Sequence, residues 1–329
     1  MLAILLTLFV NGDLQEVTVH PFDFQVENKP VTHVREAWAT YYHEGRIVFI
    51  PQNEPVLLLV DEATRDVVRI GKPGDGPGEL GIDNPRAISV QGDSMWVLDR
   101  RNRASLFVNG RFQTSFSVKS YQIAANSYPK YGFAHNELFV VIPAFPASQA
   151  LANVYDYEGN VVQRVGEIMP IDPEILQWNP AINNTIWNHF QGKWYCLMAY
   201  RPYIRIYNDQ FKLEKEILVK GPEVDIFEKR FHELERDPNF PEIRPHFTDL
   251  QVTPDHLYVV CQGVLYRMDH QGNVLSRTGF FPDNDLVKEI GWRPRIEFSH
   301  ATVTEKGKVY LGTVGSYKDH DLWYADLPK

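Results

Sequence analysis

Two histidines in the C-terminal half lie next to carboxylate side chains and just before apolar segments. His246 stands three residues before Asp249, and His300 opens the apolar segment that follows it. Imidazole nitrogens and carboxylate oxygens are common ligands of divalent cations such as Zn²⁺ and Ca²⁺. One hypothesis is therefore a site for one divalent metal, either Ca or Zn, formed by His246, Asp249 and His300. The alternative is that hydrogen bonds hold these histidines in loops and that the protein has no cofactor.

Basic side chains form a second group of candidates. The net charge of the chain is −9, so basic residues gathered on one surface would create a local site for anions or acidic partners. The alternative is that these side chains are scattered and solvated. The predicted binding residues are Arg86, Lys130, Arg201, His246, Arg293, Arg295 and His300.

Several familiar catalytic patterns are excluded by their context. Residues 76–81 match the G-x-G-x-x-G spacing, but a nucleotide-binding fingerprint must open a helix and this segment leads into another predicted strand. The chain contains no G-x-S-x-G and no H-E-x-x-H sequence. Cys196 and Cys261 fall at similar places in neighbouring repeats, where equivalent strands are usually too far apart for a disulfide, so both are predicted to be buried free thiols, with a disulfide as the alternative. Two cysteines also supply no metal-binding spacing. No catalytic residue is predicted.

Composition narrows the class of protein. The negative net charge and the lack of a basic stretch argue against nucleic acid as a partner. The apolar run 2–10 is too short to span a bilayer but suits a secretory signal. Residues 1–12 are therefore predicted to be a short or truncated signal peptide, with a buried N-terminal strand as the alternative. Residues 13–329 are predicted to form one domain.

A strand-turn-strand sequence recurs along the chain. In each copy, Asn, Asp and Gly lie between runs of β-branched and aromatic residues, as in tight hairpins. The copies span residues 106–112, 154–162, 206–211 and 266–275, with a weaker one at 59–68 and an incomplete one at 322–326. The incomplete copy lacks its last strand, and residues 17–26 alternate as a strand does. We expect this N-terminal strand to close the last repeat.

A second recurring pattern, a polar turn followed by an apolar strand, alternates along the chain with the strand-turn-strand pattern. Its six copies, with two hairpins in each repeat, predict an all-β fold: a six-bladed β-propeller of four-stranded blades. The innermost strands are expected to begin near Trp38, Arg86, Lys130, Ile186, Thr248 and His300. A pair of β-sandwich domains is the alternative. The repeat near residues 183–213 is the least regular.

One blade also resembles a known family. Residues 69–80, with their Gly-x-Gly-Pro-Gly-Glu segment, and residues 84–103 resemble NHL-like six-bladed propellers, in particular bacterial secreted proteins of that fold. The close match covers about residues 66–113. His246 and His300 also loosely resemble the channel histidines of amidating lyases in the same superfamily. Six-bladed lactonases need a set of Glu and Asn ligands that is not identified in this chain.

Two insertions interrupt the repeats. Apolar residues recur at spacings of three and four after Pro222, which predicts an amphipathic helix near 222–237. A shorter helix is predicted within 282–292, where Asp283 provides a cap. The two helices are expected to cover exposed blade edges, or alternatively to form a lid over a pocket.

Together these features predict a secreted or periplasmic, monomeric binding module rather than an enzyme. A rigid propeller would present its loop-rich face to a protein, a peptide or a glycan. The alternative is a metal-dependent lyase or hydrolase, lactonase-like or amidating-lyase-like, with its site in the central channel.

Overall fold

The computed structural model is an all-β, propeller-like arrangement of sheets, with two α-helices in the part of the chain that it describes. It describes residues 13–26, 29–31, 40–50, 56–80, 87–99, 101–118, 132–141, 150–170, 181–234, 245–290, 295–317 and 320–328. The predicted signal segment 1–12 and the candidates Arg86, Lys130 and Arg293 lie outside these residues.

The described part of the chain begins with three strands, β1 (Leu14–Pro21), β2 (Phe24–Val26) and β3 (Lys29–Val31). Strands β2 and β3 form a small antiparallel hairpin. Exposed and buried side chains alternate in the second half of β1, as the sequence predicted from residue 17 onwards. The single strand predicted over residues 17–26 is divided, because residues 22–23 separate β1 from β2.

Four antiparallel sheets of four strands each follow, and every sheet keeps its strands in chain order. Sheet 1 contains β4 (Thr40–His43), β5 (Arg46–Phe49), β6 (Leu57–Asp61) and β7 (Val67–Ile70). Sheet 2 contains β8 (Ala87–Gln91), β9 (Ser94–Leu98), β10 (Arg103–Val108) and β11 (Arg111–Ser117). Sheet 3 contains β12 (Gly132–His135), β13 (Leu138–Val141), β14 (Ala152–Asp156) and β15 (Val161–Val165). Sheet 4 contains β16 (Thr185–Phe190), β17 (Lys193–Met198), β18 (Tyr203–Asn208) and β19 (Leu213–Leu218), and is as regular as its neighbours.

The last sheet, which we call the closing sheet, has eight strands in the order β20-β21-β22-β23-β1-β26-β25-β24. Its strands from the C-terminal part of the chain are β20 (Phe247–Val252), β21 (Leu257–Cys261), β22 (Val264–Met268), β23 (Val274–Pro282), β24 (Phe298–Val303), β25 (Lys308–Tyr317) and β26 (His320–Asp326). Strand β1 pairs in parallel with β23 and then, through His20 and Pro21, antiparallel with β26. The predicted contact between the N-terminal strand and the last repeat is confirmed, whereas its longer pairing with β23 was not predicted. Among the described residues, strand pairing thus gives four four-stranded sheets, the β2–β3 hairpin and one eight-stranded sheet, which does not by itself establish a count of six blades.

The first strands of the sheets lie side by side. Strand β8 contacts β12, β12 contacts β16, β16 contacts β20, β20 contacts β24, and β24 contacts β4. The first and last parts of the chain are therefore neighbours, as a closed arrangement requires. The described first strands begin within two residues of the predicted positions.

The recurring turn sequence forms a bulged hairpin between the third and fourth strands. Asp156, Asn208 and Asp269 each accept hydrogen bonds from the backbone N–H groups two and four residues later. Each hairpin has a register shift just before this residue. A short acceptor side chain is needed to satisfy the backbone of such a turn, which explains why Asx residues recur there.

Glycine in these turns meets the preceding sheet. Gly272 has a φ of 99°, and a Cβ atom there would lie 2.4 Å from Cγ2 of Ile217 on β19. Gly159 has a φ of 83°, and its Cβ would lie 2.7 Å from the carbonyl oxygen of Ser117 on β11. Both the backbone conformation and the close approach require glycine.

Apolar side chains fill the spaces between consecutive sheets. Separate clusters lie between sheets 1 and 2, across sheets 2 to 4, between sheet 4 and the closing sheet, and between the two halves of the closing sheet. A further cluster joins Phe22 and Phe24 to sheet 1 and to Tyr310 on β25. Apolar packing therefore fills the spaces between sheets and also holds the first and last parts of the chain together.

Two helices lie in connections between sheets. Helix α1 (Pro222–Leu234) precedes β20, and helix α2 (Asn284–Ile290) precedes β24. Both predicted helices are confirmed over these residues, and the backbone N–H of Asp285 donates to Asp283 Oδ1 as a cap would. A 3₁₀ turn spans Ala181–Asn183. Within the described residues, neither helix has the length and hydrophobicity of a membrane span.

Antiparallel pairing divides the connections between two ends of the strands. Turns between first and second strands, and between third and fourth strands, lie at one end, which we call the turn face. Turns between second and third strands, and the connections from sheet to sheet, lie at the other end, which we call the loop face. Both helices are on the loop face.

Candidate functional site

Asp249 and His300 occupy matching positions on neighbouring first strands. In β20 the pairing register shifts between Phe247 and Asp249, and in β24 it shifts between Phe298 and His300. The same local bulge thus turns both side chains toward each other, with His300 Nδ1 3.5 Å from Asp249 Oδ2. Each side chain is only 1% exposed.

The Asp249 carboxylate also joins the two strands. Its Oδ1 accepts a hydrogen bond from the N–H of Leu250 at 2.7 Å, and its Oδ2 accepts one from the N–H of Ala301 at 3.1 Å. Burial, and secondarily the charge of Asp249, raises the pKa of Tyr41 on β4. Residues from three neighbouring first strands therefore interact electrostatically near the loop face. An imidazole oriented by a carboxylate could accept a proton or bind a cation through its other nitrogen.

His246 has different neighbours. It is fully buried, its Nδ1 lies 3.6 Å from Glu228 Oε1 on α1, and its ring centroid is 3.3 Å from that of Phe227. Its backbone N–H donates to the carbonyl oxygen of Ala199. Burial, aided by the charge of Arg201, lowers the pKa of His246 to about 2. The imidazole is therefore neutral at physiological pH and packs beneath α1.

The three predicted metal ligands are thus divided between two environments. Asp249 and His300 form a pair, whereas His246 packs against α1. In the described part of the chain, no group of three or more His, Cys, Asp and Glu side chains has an arrangement suited to a metal ion. Both oxygens of Asp249 already accept backbone hydrogen bonds, so this set of residues fits a metal poorly.

Two of the predicted basic residues also lie on the loop face. Arg201 is in the turn between β17 and β18, next to the segment that His246 contacts. Arg295 precedes β24, and its Nη2 donates to the carbonyl oxygen of Gln262 at 3.3 Å. Both arginines therefore lie in connections of the loop face.

The glycine-rich segment is a hydrogen-bonded loop. Glu79 Oε2 accepts a bond from the N–H of Gly76 at 2.7 Å, and Oε1 lies 2.9 Å from Lys72 Nζ. The hydrogen bond from Gly76, followed by the one from Lys72, holds the pKa of Glu79 below its usual value. Arg103 joins this loop to the next sheet through the carbonyl oxygens of Asp75 and Glu79 and through the buried carboxylate of Asp99. These contacts give the segment a structural role.

Helix α1 is fixed to the closing sheet through its first turn. Both oxygens of Glu223 face Arg277, at 3.0 Å from Nε and 2.5 Å from Nη2, and Tyr266 also donates to this carboxylate. Val224 is buried in the cluster between sheet 4 and the closing sheet. Ile226 points the opposite way and is 69% exposed.

Sequence reasoning missed a histidine pair on the turn face. The rings of His135 and His189 stack with centroids 3.4 Å apart. Gln91 Nε2 lies 2.9 Å from His135 Nδ1, and His189 Nε2 lies 2.9 Å from Asp209 Oδ1. Burial, and then the proximity of His189, lowers the pKa of His135. The equivalent positions of Gln91, His135 and His189, at or near the ends of first strands, are the sequence signal that indicates this pair.

Comparison with known proteins shows the fold alone. No family model and no curated protein matches the chain. A Bacteroides fragilis protein inferred to be exported is 8% identical, with a TM-score of 0.56 over 96% of this chain and 99% of that one. A member of the DUF4221 family from Bacteroides vulgatus is 9% identical, with a TM-score of 0.55 over 95% and 98%. The likeness to BamB of Moraxella catarrhalis is weaker, with 11% identity and a TM-score of 0.45 over 88% and 84%.

Proposed function

We propose that the protein is a six-bladed, NHL-like propeller. The closing sheet divides at β1 into two antiparallel groups, β20 to β23 and β24 to β26, each with the strand order of sheets 1 to 4. In this interpretation β1 completes the last blade through its pairing with β26. The six first strands then follow one another around a channel, and contacts within five of the six neighbouring pairs support this arrangement.

We propose that it acts as a non-catalytic binding module whose loop face receives a protein, a peptide or a glycan. The observation that carries this proposal is the anchoring of α1. Glu223 and Val224 hold the helix to the closing sheet, and Ile226 projects from its opposite side. A large aliphatic side chain that is fixed in position and exposed to water favours contact with a partner.

Rigidity gives this surface a thermodynamic advantage. A partner that binds a preformed helix pays little conformational entropy to order it. Lys229 and Arg230, which are exposed near Ile226, would add charge to the rim of the contact. Of the predicted binding residues, Arg201 and Arg295 lie in connections of the same face, whereas His246 and His300 are buried and would support the surface without touching a partner.

We infer that the protein is exported to the periplasm or secreted, and that it works as a monomer. The apolar run 2–10 supports export, and the protein of similar fold from B. fragilis is itself inferred to be exported. Strand β1 covers the outer edges of both β23 and β26, which leaves fewer strand edges for pairing with a second copy.

The second candidate function is a metal-dependent lyase or hydrolase with its site in the channel. The observation that favours it is the buried pair of Asp249 and His300. The residues beside this pair supply few additional ligands, and His246 contacts α1. The pair equally suits a structural role, since Asp249 connects β20 to β24.

The loop-face proposal can be tested with Ile226→Glu. Immobilised wild-type and variant proteins would be exposed to secreted proteins of the source cell, a peptide library and a glycan array. We expect the variant to retain the wild-type ligand at least about tenfold less, because a charge would replace an apolar contact. Val162→Glu is the matched control, because Val162 is 53% exposed on the outer strand of sheet 3.

Two outcomes would contradict the proposal. One is that the wild-type protein retains nothing at micromolar concentration from any of the three sources. The other is that Ile226→Glu and Val162→Glu retain the ligand equally well.

A further inference from the structure

A groove of about 550 Å³ lies between sheets 1 and 2 on the turn face, opposite the proposed loop-face surface. Its walls come from the turn ends of both sheets, so neither helix borders it. The volume is sufficient for a short peptide segment or a few large side chains. This groove has an aliphatic floor and a charged rim, and the two features arise from strand register.

The floor is a row of aliphatic side chains across sheet 1. Val48 on β5 pairs with Leu59 on β6, which pairs with Val68 on β7. Paired residues project from the same side of a sheet, so the three side chains form one continuous strip. Val68, at the outer end, is 56% exposed. Val90 and Met95, which pair with each other in sheet 2, face the strip from the other wall.

The rim is a second row, two residues nearer the turns. Arg46 pairs with Asp61, and the N–H of Asp61 donates to the carbonyl oxygen of Asp66. Because side chains alternate along strands, this charged row projects from the same side as the aliphatic one. Sheet 2 adds Asp93 on the opposite wall. Three carboxylates therefore face one guanidinium and His43, which leaves two negative charges when the imidazole is neutral.

The three carboxylates of the rim differ in the hydrogen bonds that they accept. Asp61 Oδ1 accepts bonds from the N–H groups of Ala63 and Thr64, and these bonds lower the pKa of Asp61. Asp93 lies 3.2 Å from the amide nitrogen of Asn109 once that amide is oriented to donate. Asp66 stands beside the exposed Val68 at the outer end of the groove.

We propose that this groove binds a basic peptide segment in which Arg or Lys alternates with aliphatic residues. The aliphatic side chains and the methylene stem of the basic residue would lie on Val68 and Leu59. The guanidinium or ammonium group would lie between Asp66 and Asp93, where its charge complements the rim. This proposal goes beyond the loop-face function because it concerns the opposite face and a partner of defined chemistry.

The equivalent groove between sheet 4 and the closing sheet provides an internal contrast. It has about 470 Å³ and is lined by Lys193 and Lys215 together with Glu214, Tyr195 and His270. Lys193 pairs with Glu214 at 2.9 Å, and Lys215 donates to the carbonyl oxygen of His270. Its rim carries two cations against one carboxylate, so a basic peptide should avoid it.

The test uses a fluorescent pentapeptide, acetyl-Val-Arg-Val-Arg-Val-amide, titrated with the full protein at low and physiological salt. We expect saturable binding that a citrulline-substituted peptide loses by more than about tenfold. Asp66→Asn should weaken binding about threefold, as expected for one exposed charge contact. Val68→Ser should weaken it about fivefold through lost apolar contact. Both residues are at the surface, so both variants should fold.

Matched controls distinguish the groove from general attraction to an acidic protein. Glu158→Gln removes one exposed charge from the corresponding hairpin of sheet 3, and Val162→Ser removes an exposed valine from its outer strand. Both should bind the peptide as the wild-type protein does. The proposal is overturned if the peptide does not bind, or if the control variants weaken binding as much as Asp66→Asn and Val68→Ser. Because Ile226→Glu changes the other face, its effect on loop-face ligands is independent of either result.

Discussion

Glu62 and Lys308 are 246 residues apart in the chain, and their side chains form an ion pair with Nζ 2.9 Å from Oε1. Glu62 lies in the last turn of sheet 1, and Lys308 begins β25 of the closing sheet. Tyr42 donates to the other oxygen of the same carboxylate at 2.9 Å. One side chain thus connects the first sheet to the last one on the turn face.

We predict that Glu62→Gln lowers the free energy of unfolding by about 1–2 kcal/mol, because the carboxylate accepts several bonds in a partly buried place. Burial opposes the charge, but the nearby Tyr310 hydroxyl and the hydrogen bonds from Lys308 and Tyr42 outweigh it and hold the pKa of Glu62 below its usual value. A lowered folded-state pKa contributes stability above the unfolded value, and this contribution is lost as the pH falls. The difference between wild type and variant in urea unfolding should therefore shrink below about pH 4.

Glu214→Gln is the control for this prediction. Glu214 pairs with Lys193 at the same 2.9 Å, but both side chains are more exposed and lie on strands of one sheet. We expect its effect to stay below about 0.5 kcal/mol. Equal decreases in the free energy of unfolding for Glu62→Gln and Glu214→Gln would show that the ion pair between the first and last sheets stabilises the protein no more than an exposed pair within one sheet.

A second prediction concerns the turn glycines. Gly272→Ala should lower the free energy of unfolding by about 2–4 kcal/mol, because the new Cβ would combine a positive φ with a collision against Ile217. Gly307→Ala is the control: it has a φ of 80° but nothing within 4 Å of the added Cβ. That substitution should cost only about 1 kcal/mol. Urea denaturation of the two variants would measure the difference, and similar costs would contradict the packing argument.

A third prediction follows from the burial of His246. Its pKa in the folded protein lies far below the value of about 6.5 in the unfolded chain. The unfolded chain therefore binds the proton first, and stability is lost as the pH falls below about 6.5, by up to about 1.4 kcal/mol per pH unit. Replacing His246 with Phe keeps a ring against Phe227 and removes the titrating group.

The pH dependence of unfolding between pH 7 and 5 should consequently be shallower for His246→Phe than for the wild type. His256→Gln serves as the control, because His256 is partly exposed in a turn of the closing sheet and its hydrogen bonds to Thr253 come from the backbone. An unchanged slope for His246→Phe would mean that the imidazole is accessible to protons in the folded protein.

Much of the fold was predictable from local sequence, for physical reasons visible in the turns. Asp156 and Asp269 accept hydrogen bonds from backbone groups of the bulged hairpin, and Gly159 and Gly272 adopt the positive φ that the turn needs. Each repeat can therefore be recognised from a short stretch of sequence. The pairing of β1 with β23 was not predictable. It depends on where two distant strands meet, and neither strand carries a local sign of its partner.

The candidate site was less predictable because its chemistry depends on neighbours from other sheets. Sequence spacing grouped His246 with Asp249 and His300, and the bulges of β20 and β24 do bring Asp249 to His300. Helix α1, however, supplies Phe227 and Glu228 to His246. The row of Val48, Leu59 and Val68 required strand register, which alternation within one strand does not specify.

The last prediction separates the binding module from the metal-dependent enzyme. Metal content of the purified protein would be measured by elemental analysis, together with thermal unfolding in added Ca²⁺ or Zn²⁺. A site with micromolar affinity would stabilise the protein by about 4 kcal/mol at millimolar metal and raise its midpoint by about 5 °C. For a binding module we expect no bound metal and no such shift.

Replacing His300 or His246 with Ala tests whether these histidines are metal ligands. Each substitution removes a buried ring and should lower the midpoint itself, so the metal-induced change is the quantity to compare. A tightly held metal in the wild type that both variants lose would establish the channel site. A metal that both variants keep in full would exclude these histidines as ligands. Loop-face ligands retained by both variants, without any metal effect in the wild type, would favour a structural role for the pair of Asp249 and His300.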